Sequence, residues 1–349
     1  MVRRCVILAF ALCLLSAPTA GAHIIDSSAS AKASHALKGR LAKPAATLQV
    51  PLADGTGALT VDFTAAAAGQ QQLAQDYVTF IEALPHGAEL TKLRLLIAAF
   101  GEVERLCGGQ PGDGTFACYD GNINQMIVPA GSLGTPSEDG SGYTVAYALT
   151  HEYGHHIARH RSNPGLKGGS DDYGPKFWAS YEMACLKADD GRAFPGDEGD
   201  NYWDNPAENW AETYARIAGF PDTPWTFSDH FVPDAGALEA ARRDVLAPWT
   251  HSLTATFDLA PGRHSQTFTL PVTLDGAITI KARGAHDSKL SVAVSAGGER
   301  LGATDKGAGR SSGIIQPACR ANPTETYRFT VRRSGNVSRD AQLTVSYAG

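Results

Sequence analysis

The chain has 349 residues, 43% of them hydrophobic and 19% charged, with a formal net charge of −6. It is an ordinary globular composition, long enough for two domains. With no block of basic residues, it argues against nucleic acid or an anionic membrane as a partner.

Residues 1–22 read as a secretory signal: Arg3 and Arg4, the apolar run 5–15, then Ala20-Gly21-Ala22 as a cleavage site before His23. That run is shorter than the about 20 apolar residues an uncleaved anchor needs, and no later stretch is long enough to span a bilayer. A secreted or periplasmic protein is expected. The mature chain keeps four cysteines, Cys107, Cys118, Cys185 and Cys319, an even number for an oxidising compartment. Pairing Cys107 with Cys118 closes a short Gly-rich loop and contributes about 2–3 kcal/mol on chain-entropy grounds, so that pair is favoured. Cys185 with Cys319 would then tie two domains together, and two buried thiols fit the sequence nearly as well.

From 23 to 70 the composition is Ala, Ser, Thr, Lys and Gly, interrupted by apolar residues at 48–52 and 59–63. It reads as a linker, a weak hairpin or a removable pro-segment. Leu73, Tyr77, Ile81 and Leu84 predict a helix over 71–84, stopped by Pro85, His86 and Gly87. An apolar run at 93–100 reads as a buried strand, 102–106 begins a helix, and 116–120 with 125–128 flank Gly121-Asn122 as a hairpin.

Within 143–161, His151, Glu152 and His155 spell H-E-x-x-H. Positions i and i+4 are neighbours on one helix face, so both imidazoles can reach one metal ion while Glu152 points beside it. Three protein ligands plus a water make a catalytic zinc site, so the motif asks for a third ligand. Val145, Ala146, Leu149, Ile157 and Ala158 fit the segment for burial, and Gly154 lets another backbone come close. The competing reading is a core helix with solvated histidines. A strand, helix, hairpin, helix order ending in this motif resembles that of a zincin upper subdomain, in which an edge strand is expected to hold an extended peptide; here that strand would be 124–128.

For the third ligand, the metzincin pattern fails, because its Gly and His positions are Ala158 and Arg161. Asp171 or Asp172, in a Gly-flanked stretch, resembles the aspzincin pattern with the wrong spacing to its Tyr. The third candidate is the run 205–215, where Pro206 fits a first helical turn and Glu208 and Glu212 lie one turn apart on one face. Glu208 is assigned as ligand and Glu212 as the carboxylate that orients a ligand histidine, with Glu212 as the alternative ligand. Asn205 with Glu208 is also a capping box.

H-E-Y-G-H at 151–155 followed by N-P-x-E-x-x-A-E at 205–212 resembles the gluzincin metallopeptidases, and more narrowly secreted bacterial zinc metallopeptidases, over residues 75–250. The resemblance implies a zincin fold, Zn²⁺ on His151, His155 and Glu208, and Glu152 as catalytic base. The insert between the second and third ligands is longer than in thermolysin-like enzymes. It holds an expected helix at 174–187 and an acidic Gly-rich stretch, 194–203, that could line the cleft or bind Ca²⁺ but is more usually a solvated loop. Tyr202, Tyr214 and His230 are candidate oxyanion donors. A further helix is expected at 238–245.

From 252 the texture changes to short alternating strands at 254–259, 265–270, 277–282, 290–295, 326–331 and 342–347, which suggest a β-sandwich or jelly-roll-like domain. This part resembles the accessory C-terminal β-domains of secreted bacterial peptidases, whose role is packing or binding to a surface or glycan. The expected architecture is therefore α+β: signal 1–22, linker or pro-segment 23–70, zincin-like catalytic domain 71–251 and β-domain 252–349. The expected function is a secreted zinc endopeptidase acting on a peptide or protein substrate. The alternatives are a secreted zinc-binding surface protein without turnover, or a metal hydrolase of a non-peptide or cell-wall substrate.

Overall fold

The structure, a computed structural model, describes residues 23–24, 44–109, 114–137, 142–161, 172–221, 227–246, 252–304, 307–319 and 325–349. The expected signal segment and Asp171 lie outside them. Among the described residues no helix is long and apolar enough to cross a membrane. The chain is mixed α and β, with a β-rich C-terminal part.

The first part is built on a six-stranded sheet of β1 (His23–Ile24), β2 (Ala46–Pro51), β3 (Ala58–Phe63), β4 (Arg94–Ala98), β5 (Cys118–Asp120) and β6 (Gln125–Pro129), in the order β1-β5-β6-β4-β3-β2. Strands β3, β4 and β6 are parallel neighbours, while β2 and β5 run antiparallel to theirs. All of β6 and all of β4 past Arg94 are buried, as expected of strands covered on both faces.

Two expectations are refined or corrected here. Residues 46–63, for which the sequence leaves a linker, a weak hairpin and a pro-segment open, are not a linker: they form the antiparallel hairpin β2–β3, which belongs to the main sheet, and Leu59, Val61 and Phe63 are 0% exposed in its core. Asp62, whose side chain is also buried, is met by the Arg94 guanidinium at 3.0 Å and the Thr47 hydroxyl at 2.6 Å from the flanking strands. Strand β6 is not an edge either, because β4 and β5 bond to its two sides. It has no free edge for an incoming peptide, and the antiparallel β5 lies outside it, paired in turn with β1.

The helices are α1 (Gln71–Glu82), α2 (Phe100–Leu106), α3 (Val145–Arg161), α4 (Lys176–Tyr181), α5 (Ala184–Asp189), α6 (Pro206–Ile217) and α7 (Ala235–Leu246). The helix expected at 174–187 is broken in two, since Met183 adopts φ 52° between α4 and α5. Helix α3 is buried nearly all round and packs on α6, α1, β5 and β6. The Cys107–Cys118 disulfide, Cα atoms 5.9 Å apart, ties the end of α2 to β5.

Helix α4 has no capping side chain of its own, since Pro175 precedes it. Instead Asp244, on α7, accepts the backbone N–H groups of Phe177 at 3.0 Å and Trp178 at 2.7 Å. Burial pushes the Asp244 carboxyl up to about 7 despite these donors. A raised carboxyl binds a proton in the folded chain that the unfolded chain has already released, so stability falls as pH rises from the ordinary Asp range through 7. Each pK unit of that shift is worth about 1.4 kcal/mol. Thermal melts between pH 5 and 8 should show a falling midpoint, and Asp244→Asn should flatten that slope; an equal slope in the variant would assign it to other groups.

Strands β7 (Leu253–Leu259), β8 (Ser265–Val272), β9 (Gly276–Arg283), β10 (Ser288–Ala296), β11 (Glu299–Ala303), β12 (Gly307–Ala308), β13 (Arg310–Ala318), β14 (Glu325–Gly335) and β15 (Ala341–Tyr347) form two antiparallel sheets. Their orders are β11-β10-β14-β8, with β12 also on β10, and β13-β9-β15-β7. Alternate residues of both sheets, such as Ile278 and Ile280, Val292 and Val294, Phe329 and Val331, and Leu343 and Val345, share one core. The Cys185–Cys319 disulfide, Cα atoms 5.3 Å apart, joins this part to α5. The Asp275 N–H on Ser180 Oγ at 2.9 Å, and the Lys176 ammonium on the Gly349 carbonyl, add to the join.

Candidate metal centre

Helices α3 and α6 cross at a point that only a small residue permits. A Cβ added to Gly154 would lie 2.9 Å from the Ala211 Cα, and the Trp210 indole N–H donates to the Gly154 carbonyl at 2.7 Å. Ala211 is three residues past Glu208, so the crossing that brings Gly154 against it turns Glu208 toward the histidines one turn away on α3. Gly154→Ala should therefore push α6 outward, costing about 1–3 kcal/mol by overpacking. Melting and competition with a chromogenic chelator would measure it: we expect both stability and metal affinity to fall, and an unchanged affinity would mean that the close crossing does not position Glu208.

One ligand atom from each of His151, His155 and Glu208 falls within 4.8 Å of the others, the signature of a group that could hold a metal ion. His151 Nε2 lies 3.2 Å from Glu208 Oε2, and His155 Nε2 lies 3.4 Å from Glu208 Oε1. On the far side of the His151 ring, Nδ1 is 3.6 Å from Glu212 Oε2. The Tyr147 hydroxyl donates to that same Glu212 oxygen, and the Tyr202 hydroxyl donates to Glu208 Oε2 at 2.8 Å. Glu152 and Glu208 are 0% exposed, and both histidines 1%.

The electrostatics ask for a cation. Glu152, Glu208 and Glu212 are three buried carboxylates, and among the described residues none has a Lys or Arg partner. Charges buried in this way are retained only when paired or bound to a metal. Among the described residues both oxygens of Glu152 lack any hydrogen-bond partner. Burial pushes the Glu152 carboxyl well above the usual carboxylate range. For His151, burial acts to lower the pKa, but the Glu208 hydrogen bond and the facing Glu212 carboxylate outweigh it and hold the ring up at about 10. The site stabilises positive charge where the nitrogens and oxygens converge. Imidazole and carboxylate donors of this kind suit a first-row divalent ion.

Asn205 caps α6 alone, its side chain accepting the Ala207 N–H at 3.1 Å, while the Glu208 carboxylate turns to the histidines. The capping-box reading of Glu208 is thereby replaced. Of the candidate oxyanion donors, only Tyr202 reaches the site. Tyr214 is buried elsewhere, its hydroxyl donating to the Pro85 carbonyl at 2.7 Å, and His230 is exposed with its carbonyl taken by Lys187. Asp172 packs under Gly196 and does not join the group. In the acidic loop, Asp197 accepts the Gly199 N–H and the Asn201 amide, each at 2.8 Å, and Glu198 accepts the Asn205 amide at 3.0 Å. Among the described residues no second group of three forms there for Ca²⁺.

Two residues of the site were missed. Tyr147 holds Glu212 and could have been found, since 147, 151 and 155 are successive i+4 positions on one face. Phe227, whose ring stacks on His151 with centroids 6.3 Å apart, carries no local signal because the fold brings it there from beyond α6.

No protein-family model matches the chain, and no curated protein matches it. Among solved structures it is distantly similar to the pre-peptidase C-terminal domain of a collagenase from Bacillus anthracis, at 14% identity over 27% of this chain and 88% of that one, TM-score 0.22. It is also distantly similar to the carbohydrate-binding module CBM36 in complex with calcium and xylotriose, at 12% identity over 30% of this chain and 85% of that one, TM-score 0.17.

Proposed function

We propose that the chain is a secreted zinc-dependent peptidase of the gluzincin type, with zinc held by His151, His155 and Glu208. The observation that carries this reading is the buried, unpartnered Glu152 carboxylate beside three converging donor side chains. A structural metal site has no use for such a group, whereas a hydrolytic site needs a base there. Imidazole donors favour zinc over calcium or magnesium, which prefer all-oxygen shells.

When bound, zinc supplies a Lewis acid that polarises a carbonyl and makes water acidic near neutral pH. Glu152 takes a proton from the attacking water and returns it to the leaving amine. Glu212, held by Tyr147, faces His151 Nδ1 from 3.6 Å, which sets a carboxylate beside the ring to favour one orientation of the imidazole. Tyr202 gives its one O–H to Glu208 and so steadies that carboxylate toward the histidines, which commits its hydroxyl to the ligand rather than to an oxyanion. Export agrees with two disulfides and the signal-like residues 1–22.

Near-complete burial of the ligands favours one other reading, a secreted protein whose metal is structural. A mixed peptide library incubated with the purified chain, with and without a chelator, separates the two. Chelator-sensitive cleavage, restored by added zinc, is expected. Bound zinc with no cleavage would favour the structural site.

A further inference from the structure

The outer face of the β11-β10-β14-β8 sheet is hollow. Leu290, Val292 and Val294 of β10 and Phe329 and Val331 of β14 point into the core, so the residues between them face outward. The register sets Lys289 beside Ser334, Ser291 beside Arg332, Arg332 beside Ser265 of β8, and Ala293 beside Ala303 of β11. Small residues in the middle and long ones around them leave a concavity of about 620 Å³.

Its charge is of one sign. Among the described residues Lys289, Arg300, Arg332 and His264 line it, together with Arg333, and no Asp or Glu does. Among the described residues, Lys289, Arg300 and Arg332 have no ion-pair partner. In a chain of net charge −6 this is a local reversal, assembled from separate strands and so invisible as a basic run in the sequence. The buried Arg333, which alternates with Arg332 toward the inner face, has its guanidinium held by the carbonyls of Ala260, Arg263, Val337 and Arg339 at 2.6–3.3 Å and pins two turns together at the end of the sheet.

We propose that this face binds an acidic polysaccharide, a glycan carrying carboxylates at intervals along its chain. Lys289, Arg300 and Arg332 pair with the carboxylates, the two arginines through their planar forks, and the hydroxyls of Ser265, Ser291 and Ser334 meet those of the sugars. Among the described residues no aromatic side chain lines the hollow, so the stacking platform that single-stranded nucleic acid uses is missing there. The site lies on an open sheet face, so a polymer can run across it. This inference does not depend on the metal centre.

The test is affinity electrophoresis of the full chain through gels containing polygalacturonate, with dextran as the neutral control. Retardation by polygalacturonate alone, weakening with salt, is expected. The double variant Lys289→Ala with Arg332→Ala should bind about tenfold more weakly or worse, a loss of about 1.4 kcal/mol. Lys281→Ala with Arg283→Ala removes the same charge from the outer face of β9 in the other sheet and should bind like the parent. Melting temperatures confirm folding, and Arg300→Ala, on β11 at the end of its sheet, provides an independent variant should the first double variant fail to fold. No retardation by polygalacturonate, equal losses in the two double variants, or tighter binding to single-stranded DNA or to phosphatidylserine vesicles would each overturn the proposal.

Discussion

Glu152→Gln should retain its metal and lose peptide turnover by about 10²–10⁴-fold, the usual contribution of a general acid–base residue. The substitution is nearly isosteric at a position that is 0% exposed and makes no hydrogen bond, so it breaks no contact that holds the fold. It replaces a buried carboxylate with a neutral amide, so stability should hold or rise. Only proton transfer is removed. Turnover and metal content measured on the same preparation decide it: cleavage at the parent rate would rule out Glu152 as the base, and loss of metal would make it a ligand instead.

The second large effect is on binding. Glu208→Ala should abolish stoichiometric zinc, because it deletes the carboxylate that lies within 3.2 Å of His151 and 3.4 Å of His155. It also leaves the Tyr202 hydroxyl without its acceptor. Glu212→Gln should act more gently, weakening zinc by about 10–100-fold as loss of a ligand-orienting group does. Competition with a chromogenic chelator gives both affinities. If Glu212→Gln proved the more severe of the two, the assignment of ligand and orienting group would be reversed.

The elements that carry the site were legible because they obey short-range rules. H-E-x-x-H at helical spacing and Pro206 at the start of α6 are local signals, and Gly154 marked a close approach before its partner, Ala211, was known. The hairpin β5–β6 and the Cys107–Cys118 pair were legible for the same reason. What failed was non-local. Strands β2 and β3 showed only as a weak hairpin, one of three readings, and their Ala- and Gly-rich surroundings hid that they join the main sheet, although Leu59, Val61 and Phe63 alternate as a strand should. Strand order is not written in any strand, so β6 was taken for an edge when it lies inside the sheet. Strands β11 and β13 carry Gly and Ser where apolar residues would have marked them. Tyr214 and His230 had suitable chemistry, but the fold commits Tyr214 to the Pro85 carbonyl and leaves His230 at the surface.

The most direct test is the metal content of the purified full chain, measured by inductively coupled plasma mass spectrometry after dialysis against metal-free buffer. We expect one zinc ion per chain in the parent and none in His155→Ala. A parent without stoichiometric metal, or a His155→Ala variant that keeps it, would contradict the assignment of His151, His155 and Glu208 as a metal centre.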